Sequence, residues 1–406
     1  MSLRVGFVIS HPSHTSLGSL ARVKALIEDL SQLEVECHVF TPFSYEIEAK
    51  RKIYLHRFYG LSKFSNLMDF AYGAVRKIVN KPWWSRNILL NEKSLNTVVD
   101  NLGKQLIKAI NETEVDIIQA EQEMAAMIST RMKDKLEKPI IVDLQNIWPE
   151  ELVAMNIIKR GSSQWEMLQR KEEEILKNAD MVTVDYDGIK HYIKSNYDSV
   201  SMEKVVSVPL GGKPRVENIE TRLPPVKILF NGLVTYRSHV DLFVKSMPII
   251  LKKHPNAQFY ITKKGDTLNQ IKKLAKSLNV RPEFFWFPSE YDLFKFMASC
   301  HVGILPSTND VARKIGLPTK LFDYMSVGLP IVANDVGTWT DIVKDEKVGI
   351  VTEDNPESFA EGVCELLADE EMSLRYGCRG LELVKSKFNS VNSAKILLNK
   401  YKTLLR

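Results

Sequence analysis

The chain has 406 residues, of which 44% are hydrophobic and 26% are charged. This balance is typical of a globular protein with sizeable cores and excludes a disordered one, and the length predicts two or three domains. The net charge of +5 is small for this length and gives no indication of a nucleic-acid-binding protein.

The N-terminal MSL leads directly into an apolar run, so no signal peptide is predicted. The sequence contains no run of about 18 apolar residues, so no membrane-spanning helix is predicted. The four cysteines, Cys37, Cys300, Cys364 and Cys378, show no metal-ligand spacing, and we interpret them as reduced thiols. We therefore expect a cytoplasmic protein.

Short apolar runs alternate with helical patterns along the first half of the chain. Residues 4–10 predict a buried parallel strand, and the loop HPSHTSLGS follows it. Apolar residues from Leu20 to Leu30 then recur at helical spacing. Further β-like runs lie at 35–40, 116–119, 140–144 and 181–184. This alternation predicts βαβ units and a parallel sheet covered on both faces.

The pattern restarts at Val226 after a Gly- and Pro-rich stretch, residues 208–227, that predicts a linker. The strand VKILFNG is followed by a helix over about 240–253 and by the strands AQFYIT, FFWF, HVGILPS, LPIVAND and GIVT. We predict an α/β protein of two doubly wound, Rossmann-like domains facing a cleft. The predicted domains are residues 1–213 and 214–389, with a last helix within 390–406. Ligands of such sheets bind beyond the carboxyl ends of the strands.

The stretch IGLPTKLFDYMSVGLPIVANDVG, residues 315–337, is the most informative for function. Gly316–Pro318 predicts a tight loop, Thr319 a helix N-cap, and residues 320–327 a short helix. The free N–H groups and positive dipole of a helix N-terminus suit a diphosphate. Asp323, one turn further on, can accept the hydroxyls of a ribose. A surface helix with a solvated Asp323 is the alternative interpretation.

This stretch closely resembles the donor-binding signature GLPxKLFEYMAxGxPVVAxDVG of the retaining, GT-B-fold "group 1" glycosyltransferases (family four). The segments FNGLVTYRSHVDLFVKS, HVGILPS and VVSVPLGG resemble the same family. The resemblance is strong in the second half of the chain and thinner in the first. It implies a metal-independent, retaining transfer of a sugar from a nucleoside diphosphate sugar to an acceptor hydroxyl. It also implies that the last helix crosses back to brace the first domain.

The resemblance assigns Asp323 to the donor ribose. Lys320 is a candidate cation for the diphosphate, and Arg313 and Lys314 are further candidates. The family usually has an Arg after the strand glycine and a Lys about five residues later. Here Leu233 and Ser238 follow Gly232, and Arg237 is the substitute that we predict. An earlier Glu of the signature is replaced by Ile315, and a His that faces the donor sugar is replaced by Gln145 in DLQNIWPE. The predicted catalytic residues are Gln145, Arg237 and Lys320.

The other predicted donor-binding residues are Gly18, Ser19, Gly232, Lys263, Pro288, Thr319, Leu321 and Asp323. Gly18 and Ser19 resemble the family's glycine pair in the loop after the first strand. Pro288 lies where the family contacts the base. Gly265 and Asp266, beside Lys263, either line the nucleotide site or form a plain turn.

Alternatives remain open. Ile315, Leu233 and Gln145 also fit a non-catalytic relative that binds a nucleotide sugar or a partner enzyme. A nicotinamide dehydrogenase is disfavoured because no G-x-G-x-x-G follows either opening strand. Residues 185–187 form a literal D-x-D, but a metal role is disfavoured in this context. We expect no metal and no cofactor, the donor being a UDP-, GDP- or other nucleoside diphosphate sugar.

Residues 51–86 contain eight basic residues against the single acid Asp69, a local charge of +7, with aromatic residues interleaved. This composition suits an anionic membrane surface. It predicts a peripheral membrane location and a sugar, lipid-linked or glycoconjugate-precursor acceptor. A solvated basic face over a partly buried aromatic helix explains the pattern equally well.

Overall fold

The structure is a computed structural model that describes residues 2–10, 17–42, 52–58 and 91–406. Most of the basic and aromatic segment 51–86 therefore lies outside the described residues. The chain divides into two compact units, of which the first comprises residues 1–210 and 390–406 and the second residues 211–389.

The first unit contains a seven-stranded sheet whose strands all pair in parallel. The strands are β1 (Arg4–Ile9), β2 (Glu36–Thr41), β3 (Ile53–Arg57), β4 (Ile117–Glu121), β5 (Ile140–Leu144), β6 (Met181–Val184) and β7 (Val205–Ser207). Their order across the sheet is β3-β2-β1-β4-β5-β6-β7. Every residue of β4 and β5 is buried, as expected for central strands covered on both faces.

The helices of the first unit are α1 (Leu17–Gln32), α2 (Glu92–Asn111), α3 (Gln122–Arg131), α4 (Lys133–Leu136), α5 (Trp148–Ala154), α6 (Ser163–Asn178), α7 (Asp187–Asn196) and, at the end of the chain, α16 (Ser390–Leu404). The last helix packs on α1, and its Leu397 and Tyr401 belong to the core of this unit. The Tyr401 hydroxyl donates a hydrogen bond to Gln119 on β4.

The second unit contains a six-stranded parallel sheet. Its strands are β8 (Lys227–Phe230), β9 (Gln258–Thr262), β10 (Glu283–Phe285), β11 (Val302–Leu305), β12 (Ile331–Asn334) and β13 (Gly349–Thr352). The order β10-β9-β8-β11-β12-β13 reverses direction between β8 and β11. That reversal is the topological switch point beside which ligands of such sheets bind.

Eight helices of the second unit are described, and two of them follow β11 directly. They are α8 (Val240–Lys253), α9 (Leu268–Ser277), α10 (Glu290–Ala298), α11 (Val311–Ile315), α12 (Thr319–Ser326), α13 (Thr338–Asp345), α14 (Pro356–Ala368) and α15 (Glu370–Lys385). Within the described ranges, no helix has both the length and the apolarity that crossing a bilayer requires.

Two local expectations from the sequence are wrong. Gly18 and Ser19 lie in the first turn of α1 and not in a loop. The apolar pattern predicts the helix only from Leu20, but a helix can begin before the first residue of its apolar pattern. The strand expected at FFWF is Glu283–Phe285 and ends before Trp286, whose side chain is exposed. In addition, strand β3 pairs with β2, and the sequence patterns do not predict this strand.

Candidate functional site

The loops after β8 and β9 are joined by backbone hydrogen bonds beside the switch point. The Val234 amide donates to the Lys264 carbonyl at 2.7 Å, and the Thr267 amide donates to the Val234 carbonyl at 3.1 Å. Gly265 has a φ of 146°, and a Cβ there would lie 2.0 Å from the Val234 carbonyl oxygen. Only glycine fits this approach, so the turn at Gly265 holds the two loops together.

The Lys320 side chain passes over Gly232, which lies two residues after the end of β8. A Cβ on Gly232 would lie 2.0 Å from Cε of Lys320, and the Lys320 ammonium lies 4.3 Å from the ring centroid of Phe230. Among the described residues it forms no ion pair with a carboxylate. Burial, aided by the charge of Arg313, lowers the pKa of Lys320 to about 7. An anion that binds here would restore the charge of this lysine.

The N-terminus of α12 is open. Its N-cap is Pro318, with φ −74° and ψ 120°, and no side chain makes a capping hydrogen bond. The expectation that Thr319 is the N-cap is therefore wrong: the fixed φ of Pro318 suits the extended entry to the helix, and Thr319 is the first helical residue. The N–H groups of Thr319 and Lys320 remain available to an anion.

Asp323 lies one turn into α12 and is partly buried. Burial raises its pKa to about 6, Arg215 opposes this shift and Glu290 adds to it. Within the part of the chain that the structure describes, the Asp323 carboxylate has no hydrogen-bond or ion-pair partner. A partly desolvated acceptor without a protein donor suits a ligand that brings its own hydroxyls.

Tyr324 anchors the same helix to the sheet. Its hydroxyl accepts a hydrogen bond from the Asn231 amide at 2.8 Å and lies 3.1 Å from the Ile304 carbonyl oxygen. The ring is fully buried, and a Cβ on Gly303 would meet it at 2.9 Å. Tyr324 therefore holds Lys320 and Asp323 in a fixed position relative to the ends of β8 and β11.

The other predicted donor-site residues of the second unit have different surroundings. Arg237 lies in a short 3-10 turn, Tyr236–Ser238, and is buried. Lys263 and Pro288 are exposed. Leu321 does not fit a donor contact, because its side chain is fully buried and its amide already donates to the Pro318 carbonyl at 3.1 Å; it packs the helix onto the core.

The carboxyl edge of the first sheet holds a buried cluster of charges that the sequence reasoning missed. Arg22 donates to the two carboxylate oxygens of Asp143 at 3.2 and 3.4 Å. Thr183 donates to Asp143 at 2.6 Å, and the predicted catalytic Gln145 donates to it at 3.1 Å. The Gln145 amide therefore orients a buried carboxylate. Gly18 and Ser19 belong to the same helix as Arg22.

Glu121 and Asp185 belong to the same cluster. Burial raises the pKa of Glu121 well above its usual range, and Asp143 adds to the shift. Burial also raises the pKa of Asp185 to about 7 against the opposing charge of Arg22. One signal in the sequence could have found this cluster: Glu121, Asp143 and Asp185 each lie at the end of a buried parallel strand, and such ends meet at one edge of a sheet.

The D-x-D carboxylates do not act together. Asp185 belongs to the buried cluster, whereas Asp187 begins α7 and accepts a hydrogen bond from the Ser207 hydroxyl at 2.5 Å. Among the described residues there is no group of three or more His, Cys, Asp or Glu side chains that could hold a metal ion.

We expect the stability of the first unit to fall as the pH rises towards 7. A carboxyl whose pKa is raised in the folded state stabilises the fold below its unfolded pKa, and this contribution is lost as the pH rises through the folded pKa. Asp185→Asn cannot ionise, so its profile should be flatter by up to about 1.4 kcal/mol per pH unit. Urea unfolding at several pH values between about 4 and 8 measures this. Asp187→Asn is the control, and parallel profiles for wild type and Asp185→Asn would contradict the prediction.

Residues 216–382 match the family model described as "Glycosyl transferases group 1". The second unit is a group 1 glycosyltransferase domain. Over 178 residues the chain is 32% identical to an uncharacterized glycosyltransferase of Methanocaldococcus jannaschii, which covers 43% of this chain and 44% of that relative. The chain also spans less than half the length of an uncharacterized glycosyltransferase of Haemophilus influenzae.

Solved structures match the glycosyltransferase domain together with the first unit. Sucrose-phosphate synthase from Thermosynechococcus elongatus has a TM-score of 0.76 at 16% identity and covers 99% of both chains. Anabaena Alr3699/HepE in complex with UDP-glucose has a TM-score of 0.70 at 12% identity, covering 99% of this chain and 100% of the other. The fold is that of the GT-B glycosyltransferases, and the prediction of two parallel-sheet α/β domains is confirmed.

Proposed function

We propose that this chain is a glycosyltransferase that moves a sugar from a nucleoside diphosphate sugar to an acceptor hydroxyl, with retention and without a metal ion. The observation that carries the proposal is the pair Lys320 and Asp323 on the open first turns of α12, within the group 1 domain. Neither side chain has an ion-pair partner among the described residues. Both are therefore available to a ligand that combines anionic and hydroxyl groups.

The diphosphate of the donor would bind at the N-terminus of α12. The open N–H groups of Thr319 and Lys320 and the helix dipole attract negative charge there, and the bound anion would favour the charged form of the Lys320 ammonium. Gly232 leaves the space that the lysine stem occupies. Negative charge grows on the diphosphate as the bond to the sugar breaks, so fixed cations at this place stabilise the transition state more than the bound donor.

The ribose would lie against Asp323. A carboxylate can accept hydrogen bonds from two neighbouring hydroxyls, and the pKa of about 6 leaves it mostly ionised at neutral pH. Lys263 and Pro288, on the exposed loops that follow β9 and β10, are proposed to contact the nucleoside. Among solved structures of similar fold, Anabaena Alr3699/HepE is a complex with UDP-glucose, which makes UDP the first nucleotide to test.

The transfer itself would use no side-chain base. Gln145 can orient groups but cannot take a proton. In the proposed step the bond between the sugar and the diphosphate oxygen breaks, and the acceptor oxygen forms the new bond on the same face of the sugar. The acceptor proton passes to the departing phosphate oxygen, and Lys320, with Arg237, would offset the charge of the diphosphate. The composition of residues 51–86 supports a lipid-linked acceptor at an anionic surface.

A screen of nucleotides by thermal shift tests donor binding. One of UDP, GDP and ADP should raise the midpoint of the full chain, whereas NAD should not. Asp323→Ala should weaken the binding of that nucleotide about tenfold, the worth of a hydrogen bond to a charged group. Asp345→Ala, which removes an exposed aspartate from the end of α13, is the matched control. A chain that responds to none of the three diphosphates would refute the proposal.

A non-catalytic nucleotide-sugar or partner-binding protein is the second candidate. Leu233 and Ile315 stand where the family carries charged residues, and Gln145 already donates to Asp143. Incubation of the preferred nucleotide sugar with the chain separates the two. Slow hydrolysis or transfer that is lost in Asp323→Ala supports the enzyme, whereas tight binding without turnover of any donor supports the binding protein.

A further inference from the structure

His239 connects two carboxylates at the carboxyl edge of the second sheet. It is the N-cap of α8 and has a left-handed backbone, with φ 46° and ψ 36°. Nδ1 lies 2.9 Å from Oδ1 of Asp241, and Nε2 lies 3.0 Å from Oδ1 of Asp354. An ionised carboxylate only accepts hydrogen bonds, so both ring nitrogens donate when the ring is the doubly protonated cation.

The hydrogen bonds continue from Asp354 across the sheet. Its Oδ1 also accepts from Nδ2 of Asn334 at 3.0 Å. The Asn334 amide group in turn donates to the Ser307 carbonyl and accepts from the Ser307 amide, both at 2.8 Å. His239 follows β8, Ser307 follows β11, Asn334 ends β12 and Asp354 follows β13. The chain of bonds therefore links the ends of four strands that are adjacent in the sheet.

The linked segment leads to the proposed diphosphate site. The Thr308 amide donates to the Arg237 carbonyl at 3.3 Å, and the Thr308 hydroxyl donates to Asp310 at 2.7 Å. Asp310 caps α11 by accepting from the Arg313 amide at 3.0 Å. Helix α11 is followed within three residues by α12 and Lys320. A change at His239 is therefore expected to alter two segments beside the proposed diphosphate site, the loop after β8 and the segment that connects β11 to α12.

The surroundings of His239 favour its charged form. A cation at a helix N-terminus is opposed by the helix dipole, and burial also disfavours the charge. The two carboxylates outweigh both effects and raise the pKa of His239. The other charged group in this arrangement is Lys245, which donates to the second oxygen of Asp241 at 2.8 Å. The left-handed backbone is unfavourable for a non-glycine residue, and the two ion pairs offset this cost.

We propose that His239, as an imidazolium, is a positioning residue that clamps the ends of β8, β11, β12 and β13 in the arrangement that the donor diphosphate requires, so that its protonation tunes donor affinity. The affinity part of this proposal rests on the proposed function, whereas the clamp itself does not. The sign follows from the raised pKa: the clamp stabilises the fold fully at a pH below the unfolded pKa, and this stabilisation is lost as the pH rises through the folded pKa.

Hydrogen exchange of the full chain tests the clamp without any nucleotide. His239→Asn keeps a residue that tolerates the left-handed backbone but removes the charge and one of the two bonds. His239→Gly relieves the backbone and removes the side chain. At about pH 6 both variants should exchange about tenfold faster than wild type in residues 306–316, with little change in α14 and α15. His254→Asn, at the other end of α8, is the control and should exchange like wild type.

Three outcomes would overturn the clamp. Exchange in residues 306–316 that is unchanged in His239→Asn would show that the bonds do not hold the segment. Uniformly faster exchange across the second unit would indicate a general packing role. A His239→Gly protein with wild-type exchange would show that position 239 matters only for its backbone. An NMR titration adds a direct check: the pKa of His239 should exceed 6.5 and fall in Asp354→Asn, and an unshifted pKa contradicts the proposal.

The affinity for UDP tests the second part. The ratio of Kd between His239→Asn and wild type should be about tenfold at pH 6 and fall towards one as the pH rises through the pKa of His239. The ionisations of Lys320 and of UDP itself are common to both proteins and cancel in this ratio. A ratio that stays constant with pH overturns the link between protonation and affinity. If wild type does not bind UDP, GDP or ADP, the proposed function and this link fail together, while the exchange and NMR results still decide the clamp.

Discussion

Gly265→Ala should destabilise the second unit by about 3–5 kcal/mol, among the largest effects of a single substitution. Its Cβ would lie 2.0 Å from the carbonyl oxygen of Val234 and 2.5 Å from its backbone nitrogen. Backbone atoms cannot rotate away as a flexible side chain can, and the φ of 146° is itself strained for alanine. Urea unfolding of the full chain, followed by circular dichroism and by tryptophan fluorescence, measures the loss.

Gly161→Ala separates the two causes of this effect. Gly161 also has a positive φ, 74°, but a Cβ there would meet nothing within 4 Å. This control should lose only the backbone preference, about 1–2 kcal/mol. If Gly265→Ala loses no more than Gly161→Ala, the loops after β8 and β9 can separate, and the turn at Gly265 does not hold them together.

Lys320→Met should weaken nucleoside diphosphate binding about 100-fold, the upper range for hydrogen bonds to charged groups. Methionine keeps an unbranched apolar stem beside Gly232 and Phe230 and removes the charge together with the N–H donors. The same substitution should raise the thermal midpoint of the ligand-free protein, because burial lowers the pKa of Lys320 and the charged form therefore destabilises the fold. Binding assays and thermal unfolding on one preparation test both effects.

The pH dependence sharpens this test. A lysine with a pKa of about 7 loses its charge as the pH rises above that value, so wild-type affinity for the diphosphate should fall between about pH 7 and 9. Lys320→Arg stays charged, and its affinity should not show this fall. Lys273→Met, which removes an exposed lysine from α9, is the control. A Lys320→Met protein that binds like this control would remove the lysine from the site.

The segment around Asp323 could be predicted because its determinants are local. Pro318, the short apolar helix and Gly328 follow one another in the sequence, and the loop, helix and strand form accordingly. The N-cap was misassigned because Thr319 has a favourable side chain, but the proline before it dictates the backbone at the entry. The two parallel-sheet domains were also predictable, since alternating strands and helices require no knowledge of distant contacts.

The contacts between distant residues could not be read in the same way. Arg22 and Asp143 are separated by 121 positions, and His239 and Asp354 by 115. Each pair forms because parallel strands that are remote in sequence end at one edge of a sheet. The pattern of a single chain shows that each strand ends there, but not which side chains face each other. The His239 clamp has no local signal, because the histidines are dispersed along the sequence.

The packing of α16 on α1 has a consequence for biosynthesis. Helix α16 contributes Ala394, Leu397 and Tyr401 to a core whose other buried members all lie before residue 210, so the second unit is an insertion in the first. A ribosome adds about 5–20 residues per second, and the nascent first unit must therefore wait roughly ten to forty seconds for its final helix. During that time the apolar surface that α16 will cover is exposed to solvent, so the nascent chain is most prone to aggregation in this interval.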